Sequence, residues 1–391
     1  MNNQIPFFSL QRQWNKIKAQ ITQQVQKVFE SQLFVGGKFV KNFEDKLEKY
    51  LNSKHVISCN SGTDALWLAI KALNIQKNSI VLTTPFSFIA SSSEIIAHKA
   101  HPVFIDIESD TCNISPQKIH EWLTKNATMK NGKATHKQTN QHICGMLTVN
   151  IFGQCANWAK INEIAKEWNL WTIEDAAQSI GSKINEQKSG TFADISTFSF
   201  YPTKNLGACG DGGAVCTNKS ELSKRLLKLR NHGRSDKYAY EEYGINSRLD
   251  AIQAVILDEK LNLLDDLNNK RRKHAERYCK NLSSINFIQL PREEKNSHNT
   301  YHQFCIQLKD EKNPNLRDDL AEHLKKNNIG CNIYFPESFT QIDFLQTDPQ
   351  LKNDCPIAEN MTQNILALPI WPELTNEEID HICNTIKNFC Q

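Results

Sequence analysis

Lys204 stands at the end of Ser196-Thr-Phe-Ser-Phe-Tyr-Pro-Thr-Lys204, and the turn that follows carries Gly207, Gly210, Gly212 and Gly213. Ser196 to Tyr201 is rich in β-formers and aromatics, Pro202 cannot continue a ladder, and the glycines admit backbone that other residues resist. The lysine is therefore expected at a strand's end in a crowded loop. Taken alone it is either a solvated loop cation or an amine placed for chemistry. A second group bears on that choice: Leu170-Trp-Thr-Ile-Glu174-Asp175 is an apolar run that delivers a carboxylate to a strand's carboxyl end. Burying a carboxylate unpaired is costly, so Asp175 needs a cationic partner. A third is Val56-Ile-Ser-Cys-Asn-Ser61-Gly62-Thr63, a strand and small-residue turn leading into a helix. Free N–H groups at a helix start suit a phosphate, and the same residues also make an ordinary N-cap.

These groups need elements to hold them. Trp14, Ile17, Ile21, Val25, Val28 and Phe29 recur at helical spacing over residues 10–33, and a second helix is expected from Phe39 to Leu51. Strands are expected at Ser79–Thr84, at Pro102–Ile107 and at Cys144–Val149, with helices at Ile89–His98 and from Trp158 to Asn169. Such alternation argues a doubly wound, largely parallel sheet, whose ligands gather at the carboxyl ends of strands, where Thr63 and Phe88 both fall. Residues 124–142 are polar and lysine-rich and read as an exposed insertion, with His136 and His142 as solvated loop residues rather than metal ligands. Arg230 to Tyr240 reads as a mobile loop able to lie over a substrate. Beyond it, Leu249, Ile252, Ile256, Leu263 and Leu267 mark one long helix, whose basic run Lys270-Arg-Arg-Lys273 is expected to be a solvated face. Short strands and helices after about Asn281 make a smaller α/β layer, giving a large domain over 1–250 and a helix plus small domain over 251–391.

Composition narrows the function classes. Lys and Arg total 46 against 43 Asp and Glu, a net charge of +3 over 391 residues, so charge asks for neither nucleic acid nor an anionic membrane. Twelve cysteines without a C-x-x-C pair fit neither a zinc ribbon nor a disulfide scaffold, and no metal is expected. Without a signal-like N-terminus or an 18-residue apolar run, a soluble, reduced, cytoplasmic setting is the simplest reading. A dinucleotide-binding dehydrogenase would need G-x-G-x-x-G opening the first helix, and the chain has none there.

Five stretches in order, Gly62-Thr63-Asp-Ala-Leu, Asp175-Ala-Ala-Gln178, Ser199-Phe-Tyr-Pro-Thr-Lys204-Asn-Leu-Gly, Gly210-Asp-Gly-Gly213 and Gly244-Ile-Asn246-Ser-Arg248-Leu-Asp250, resemble the DegT/DnrJ/EryC1/StrS sugar aminotransferases. The resemblance runs from Phe34-Val-Gly-Gly to Leu368-Pro-Ile-Trp-Pro372. It implies an α/β, aspartate-aminotransferase-like fold type I, a mainly parallel mixed sheet flanked by helices with a smaller C-terminal α/β domain. It implies pyridoxal 5'-phosphate, with pyridoxamine phosphate as its alternate form. Lys204 would attach the cofactor and move protons, and Asp175 would pair with its ring nitrogen. Gly62, Thr63 and Ser199 would hold the phosphate, Phe88 would cover a ring face, and Gln178 would contact the ring's phenolic oxygen. Asn246 would reach the partner subunit's site in a homodimer, while Arg248, His232 and Tyr201 would face the substrate, Arg248 being divided between that and structural pairing.

The activity implied is transfer of an amino group from L-glutamate to a keto group of a nucleotide-linked sugar. Gln154-Cys155-Ala156 and Arg230-Asn-His-Gly favour C3 of a UDP- or dTDP-sugar over C4. A pyridoxal-phosphate-binding regulator is the reading from another class. Family dehydratases carry histidine where this chain has Lys204. The chain departs from its relatives at Glu337-Ser338-Phe339, so substrate contacts there are not carried over.

Overall fold

Strands buried along almost their whole length build the centre of the molecule. The computed structural model describes residues 4–310 and 312–389. Helices α1 (Gln11–Ser31) and α2 (Gly37–Leu51) precede β1 (His55–Cys59), α3 (Gly62–Ala72), β2 (Ile80–Thr83), α4 (Ala90–Ala97) and β3 (His101–Phe104). Then come α5 (Pro116–Asn126), β4 (Ala127–Lys130), β5 (Lys133–His136), β6 (Ile143–Val149), α6 (Trp158–Glu167) and β7 (Trp171–Asp175). Short strands β8 (Lys183–Ile184) and β9 (Gln187–Lys188) lead to β10 (Ile195–Ser199), β11 (Gly213–Thr217), α7 (Ser220–Leu229), α8 (Ala251–Leu261) and α9 (Leu264–Leu282). The remainder holds β12 (Ile288–Gln289), β13 (Ser297–His298), β14 (Phe304–Leu308), α10 (Leu316–Lys326), α11 (Pro356–Asn364), β15 (Ile365–Leu368) and α12 (Asn376–Phe389).

The main sheet has seven strands in the order β1-β11-β10-β7-β6-β2-β3. Only β11 runs against its neighbours, so the other strands end on one edge, as the βα alternation predicts. A three-stranded sheet, β12-β14-β15, forms a second layer, whose core joins Tyr278 of α9, Phe304 of β14 and Leu320 of α10 to Ile382 of α12. Ile5 also belongs to that core and pairs with Ile329, so the N-terminal segment packs with the C-terminal layer.

Several expectations are corrected. The single helix expected from residue 247 to 267 is two, because α8 packs on the main-sheet core through Ala254 and Leu257 whereas α9 turns Ala275 and Tyr278 to the C-terminal core. Strand β3 stops at Phe104, short of Ile107. Asp106 leaves the ladder because its carboxylate accepts N–H groups of Ile107, Ile357 and Ala358, capping the first turn of α11.

The 124–142 stretch is a hairpin, not a featureless exposed insertion. Ala127 and Ala134 are buried, and His136, 2% exposed, stacks on Trp122 at 5.8 Å and bonds through Nδ1 to Thr139. Two buried alanines and one ring stack supply burial that the polar composition conceals. His142 is half-buried. The basic run is likewise only partly solvated: Arg271 is 3% exposed, and Arg272 is held by Glu293 and the Asn299 carbonyl. Arg230 to Ser247 is an anchored hairpin, tied by Arg225 to Glu242 at 2.8 Å, by Lys228 to Glu241 and by Arg230 to Glu44 at 2.6 Å.

Candidate active site

The carboxyl edge of the main sheet collects the chemistry. Asp175 ends β7, Ser199 ends β10 beside it, Gly62 and Thr63 follow β1, and Phe88 follows β2. Thr197 pairs with Asp175 across the parallel ladder, which fixes where the lysine turn leaves the sheet. The turn closes through Lys204 N–H to the Tyr201 carbonyl at 2.8 Å. Lys204 keeps some solvent access but is crowded enough that burial lowers its pKa to about 8, with the charge of Asp175 pulling the other way.

Asp175 is 6% exposed, and burial raises its pKa while the Ala177 N–H at 3.1 Å and Lys204 oppose the shift. Its Oδ2 accepts no hydrogen bond among the described residues. No cation lies within ion-pair distance of this carboxylate among the described residues; Lys204 acts on it only through its charge, so the expected cationic partner is not met within the chain and one oxygen is left for a donor.

Ser61 is the N-cap of α3. Its hydroxyl accepts from Asp64 N–H at 3.0 Å as an N-cap, while the N–H groups of Gly62 and Thr63 find no partner among the described residues. A β-carbon on Gly62 would meet Ser199 Oγ at 3.0 Å, so the free N–H groups and that hydroxyl share one small space. Behind them Ser247 Oγ accepts from Asn60 N–H and donates to Asp64.

Gln178 Oε1 accepts from Phe152 N–H at 2.8 Å, which leaves its Nε2 free to donate. Phe88, 59% exposed, and Tyr201, 53% exposed, present apolar faces at the mouth. Of the other expected residues, His232 and Asn246 lie on the hairpin and Arg248 just after it. Arg248 donates to the Asn231 side chain at 3.3 Å, Asn246 is exposed and pairs through its backbone with Asn231, and the exposed His232 bonds Ile245 through its backbone. None of the three hydrogen-bonds to Lys204 or Asp175 within the described chain.

Three features escaped the sequence reading. Asn205, next to the lysine, donates to Asn268 Oδ1 at 2.7 Å and to the Thr300 carbonyl, and its Oδ1 meets His302 Nδ1 at 3.1 Å. Since Asn268 donates in turn to the Ile180 carbonyl, every amide in the chain is oriented and His302 must carry its proton on Nδ1. Burial, Lys204 and Arg271 hold that imidazole well below its ordinary pKa. Glu174, fully buried beside Asp175, accepts from Asn150, Ser189 and Gly190 on one oxygen and from Phe192 and Ser196 on the other. Arg271 is the third. The sequence held one signal for Glu174, two adjacent acids ending an apolar run, and none for the asparagine chain, which joins residues far apart.

The donor set fits pyridoxal phosphate. Two free N–H groups and a hydroxyl suit its phosphate, a buried carboxylate its ring nitrogen, an amide N–H its phenolic oxygen, an exposed ring its face, and an amine of lowered pKa its carbonyl.

Known proteins resemble this chain along nearly its whole length. A "pleiotropic regulatory protein" of Geobacillus stearothermophilus is 33% identical over 98% of each chain. The UDP-N-acetyl-3-dehydro-alpha-D-glucosamine 3-aminotransferase of Acidithiobacillus ferrooxidans is 34% identical over 99% of this chain and 98% of its own. The crystal structure of NtdA from Bacillus subtilis, with bound cofactor PMP, superposes with a TM-score of 0.85 at 27% identity, covering 100% of this chain and 86% of that one. The profile of the DegT/DnrJ/EryC1/StrS aminotransferase family matches residues 15–387, and the chain belongs to that family.

Proposed function

We propose that this chain transfers the amino group of L-glutamate to a keto group, C3 favoured, of a UDP- or dTDP-linked sugar, with pyridoxal phosphate as cofactor. The observation that carries the reading is the placement of Lys204, its pKa lowered to about 8, and of the buried Asp175 at one carboxyl edge of the sheet. The C3 preference rests on the 34% identity to a relative named for 3-amination. When bound, the cofactor supplies a carbonyl that captures amines and a ring that withdraws electrons from the adjoining carbon.

The chain's residues do the rest. With a pKa near the working pH, Lys204 has an appreciable neutral fraction, and with donor bound it would take a proton from the donor's Cα and return it to the cofactor carbon on the far side of the nitrogen. For the sugar the same transfers run in reverse. Asp175 holds a positive ring N–H, Gly62, Thr63 and Ser199 hold the phosphate, Gln178 donates through Nε2, and Phe88 excludes water from one face. Arg248, His232 and Tyr201 meet the substrate. Asn246, exposed on the hairpin, reaches the site of a second copy in a cytoplasmic homodimer. We assign residues 1–250 and 251–391 to a large cofactor-binding and a small domain, with Ile5 and its neighbours joining the latter by packing.

The test is to add L-glutamate to the cofactor-loaded protein, follow the visible band, then add UDP-, dTDP- and GDP-linked 3-keto and 4-keto sugars. Bleaching by glutamate and recovery with one ketosugar is the expected result. A band that glutamate does not change would favour the regulatory reading suggested by the name of the Geobacillus relative, and recovery with a 4-keto sugar alone would move the amination to C4.

A further inference from the structure

At the amino edge of the main sheet, opposite the edge that holds Lys204, α3 and α4 end beside a cleft of about 350 Å³ lined by Trp67, Lys71, Lys77, His98, Lys99 and Tyr243. Lys77 precedes β2 and Lys99 precedes β3, so the start of the sheet fixes where both stand. Tyr243 comes from the hairpin. Its neighbour Glu242 is held by Arg225 at 2.8 Å, and Arg225 also donates to the Ala72 carbonyl at the end of α3. The 11 residues of α3 put the cleft about 16 Å from the Gly62–Thr63 turn.

No acid lines the cleft, and among the described residues none of its three lysines is in an ion pair. The chain as a whole is nearly balanced, 46 bases against 43 acids, so three unpaired cations around one cleft are a local surplus. The carboxyl ends of α3 and α4 offset about half a charge each, which leaves about +2. A phosphate monoester, at about −1.5 to −2 near pH 7, matches that charge.

Rings stand among the cations. Trp67 lies 5.2 Å from the His98 ring and 6.1 Å from the Tyr243 ring, which Lys71 Nζ approaches to 5.9 Å. Tyr243 is 72% exposed, so most of its ring is free to meet a flat partner. His98 donates from Nδ1 to the Glu94 carbonyl at 2.8 Å, and burial and the charge of Lys71 keep the imidazole neutral. Its Nε2 is therefore an acceptor, and it has no donor among the described residues.

We propose that this cleft binds a mononucleotide, its phosphate among Lys71, Lys77 and Lys99 and its base against Tyr243 and Trp67 with an N–H toward His98. A dianion, a plane and an N–H edge are what the wall lacks, and a nucleotide brings all three. At about 350 Å³ the cleft stands at the lower end of the ~300–1,000 Å³ range of pockets that enclose small molecules, room for one nucleotide and not for a strand. The site lies at the far end of α3 from the candidate active site, and it does not depend on the aminotransferase reading.

The experiment follows the indole N–H resonance of Trp67, one of seven tryptophans and assigned by its loss in Trp67→Phe, as UMP is added to the cofactor-loaded protein. A saturable shift is expected, at least tenfold weaker with uridine or inorganic phosphate. Added salt should weaken it, because Lys77 and Lys99 are exposed. Lys71→Gln combined with Lys77→Gln, and separately Tyr243→Ala, should each weaken UMP at least tenfold, the first by removing charge from the phosphate and the second by removing a stacking face. No shift at millimolar UMP, a shift that these variants leave unchanged, or one that inorganic phosphate produces equally well overturns the assignment. A nucleotide held only at the catalytic site would leave the variants like wild type and so counts against it. UDP-N-acetylglucosamine separates the sources: binding as tight as that of UMP upholds the cleft as a seat for the nucleotide end of a sugar nucleotide, and weaker binding upholds it for the free nucleotide.

Discussion

A β-carbon placed on Gly62 would lie 2.6 Å from the β-carbon of Ser199. The first turn of α3 therefore rests on the end of β10 at a distance only hydrogen can fill, and this approach brings two free N–H groups to the serine hydroxyl. Gly213 closes the other flank, since a β-carbon there would meet the Ser61 carbonyl oxygen at 2.3 Å. Gly62→Ala should force the helix start away from the strand, at a cost of about 1–3 kcal/mol in stability. Cofactor retained through dialysis should fall at least tenfold. Wild-type retention in a variant of unchanged Tm would show that the close approach does not build the phosphate seat.

Lys204 links stability to pH. Its folded pKa of about 8 lies below the 10.5 of an unhindered lysine, so between those values the unfolded chain binds more protons. Stability of the cofactor-free protein should therefore rise as pH rises from about 8 to 10.5, relieving a penalty of at most about 3 kcal/mol that is present in full below pH 8. Lys204→Met lacks this group, and the difference between the two proteins' unfolding free energies isolates it. A difference that stays flat across the window would mean that Lys204 is solvated in the absence of cofactor. The same variant should show no turnover.

Much of this site was legible because it is local. The Ser199-to-Lys204 turn, the Gly62-Thr63 helix start and the acid ending β7 are each set by neighbours in sequence, and the βα alternation puts them on one edge. What was not legible depends on distance along the chain. Asn205, Asn268, Thr300 and His302 hydrogen-bond only once α9 and the start of β14 come together, and no periodicity announces such a meeting. Composition misled at residues 124–142, where the burial of His136 against Trp122 is a property of one hairpin's register. It misled again at Arg271, which a charge run conceals among solvated neighbours.

Glu174 shows how a carboxylate can be buried without partnering a cation. Five donors surround its two oxygens, and they fasten the Ser189–Phe192 turn and β10 to the strand that carries Asp175. Glu174→Gln would turn an amide N–H toward a backbone N–H, of Gly190 or of Phe192, that can only donate, so a loss of about 2–4 kcal/mol in stability is expected. Because Asp175 is the next residue, turnover per folded molecule should also fall. Chemical denaturation and assay of the folded fraction separate the two effects. A variant as stable as wild type would mean that the five donors do not need a charge.

The Asn205 chain makes the last case, since it fixes a proton rather than a shape. Asn205 Oδ1 can only accept, so His302 donates from Nδ1 and remains neutral, with Lys204, Arg271 and burial all opposing a second proton. Asn205→Asp replaces the Nδ2 donor that faces Asn268 Oδ1 and the Thr300 carbonyl by an oxygen, which should cost about 2–4 kcal/mol. The new carboxylate would also sit against the imidazole and favour its cation, so the His302 pKa should rise. Nitrogen chemical shifts of the ring should show one neutral tautomer, protonated on Nδ1, from pH 5 to 8 in wild type, and a titrating ring in the variant. A wild-type ring already doubly protonated at pH 6 would mean that burial and the charges of Lys204 and Arg271 do not hold it neutral, and a neutral ring protonated on Nε2 would contradict the hydrogen-bond assignment.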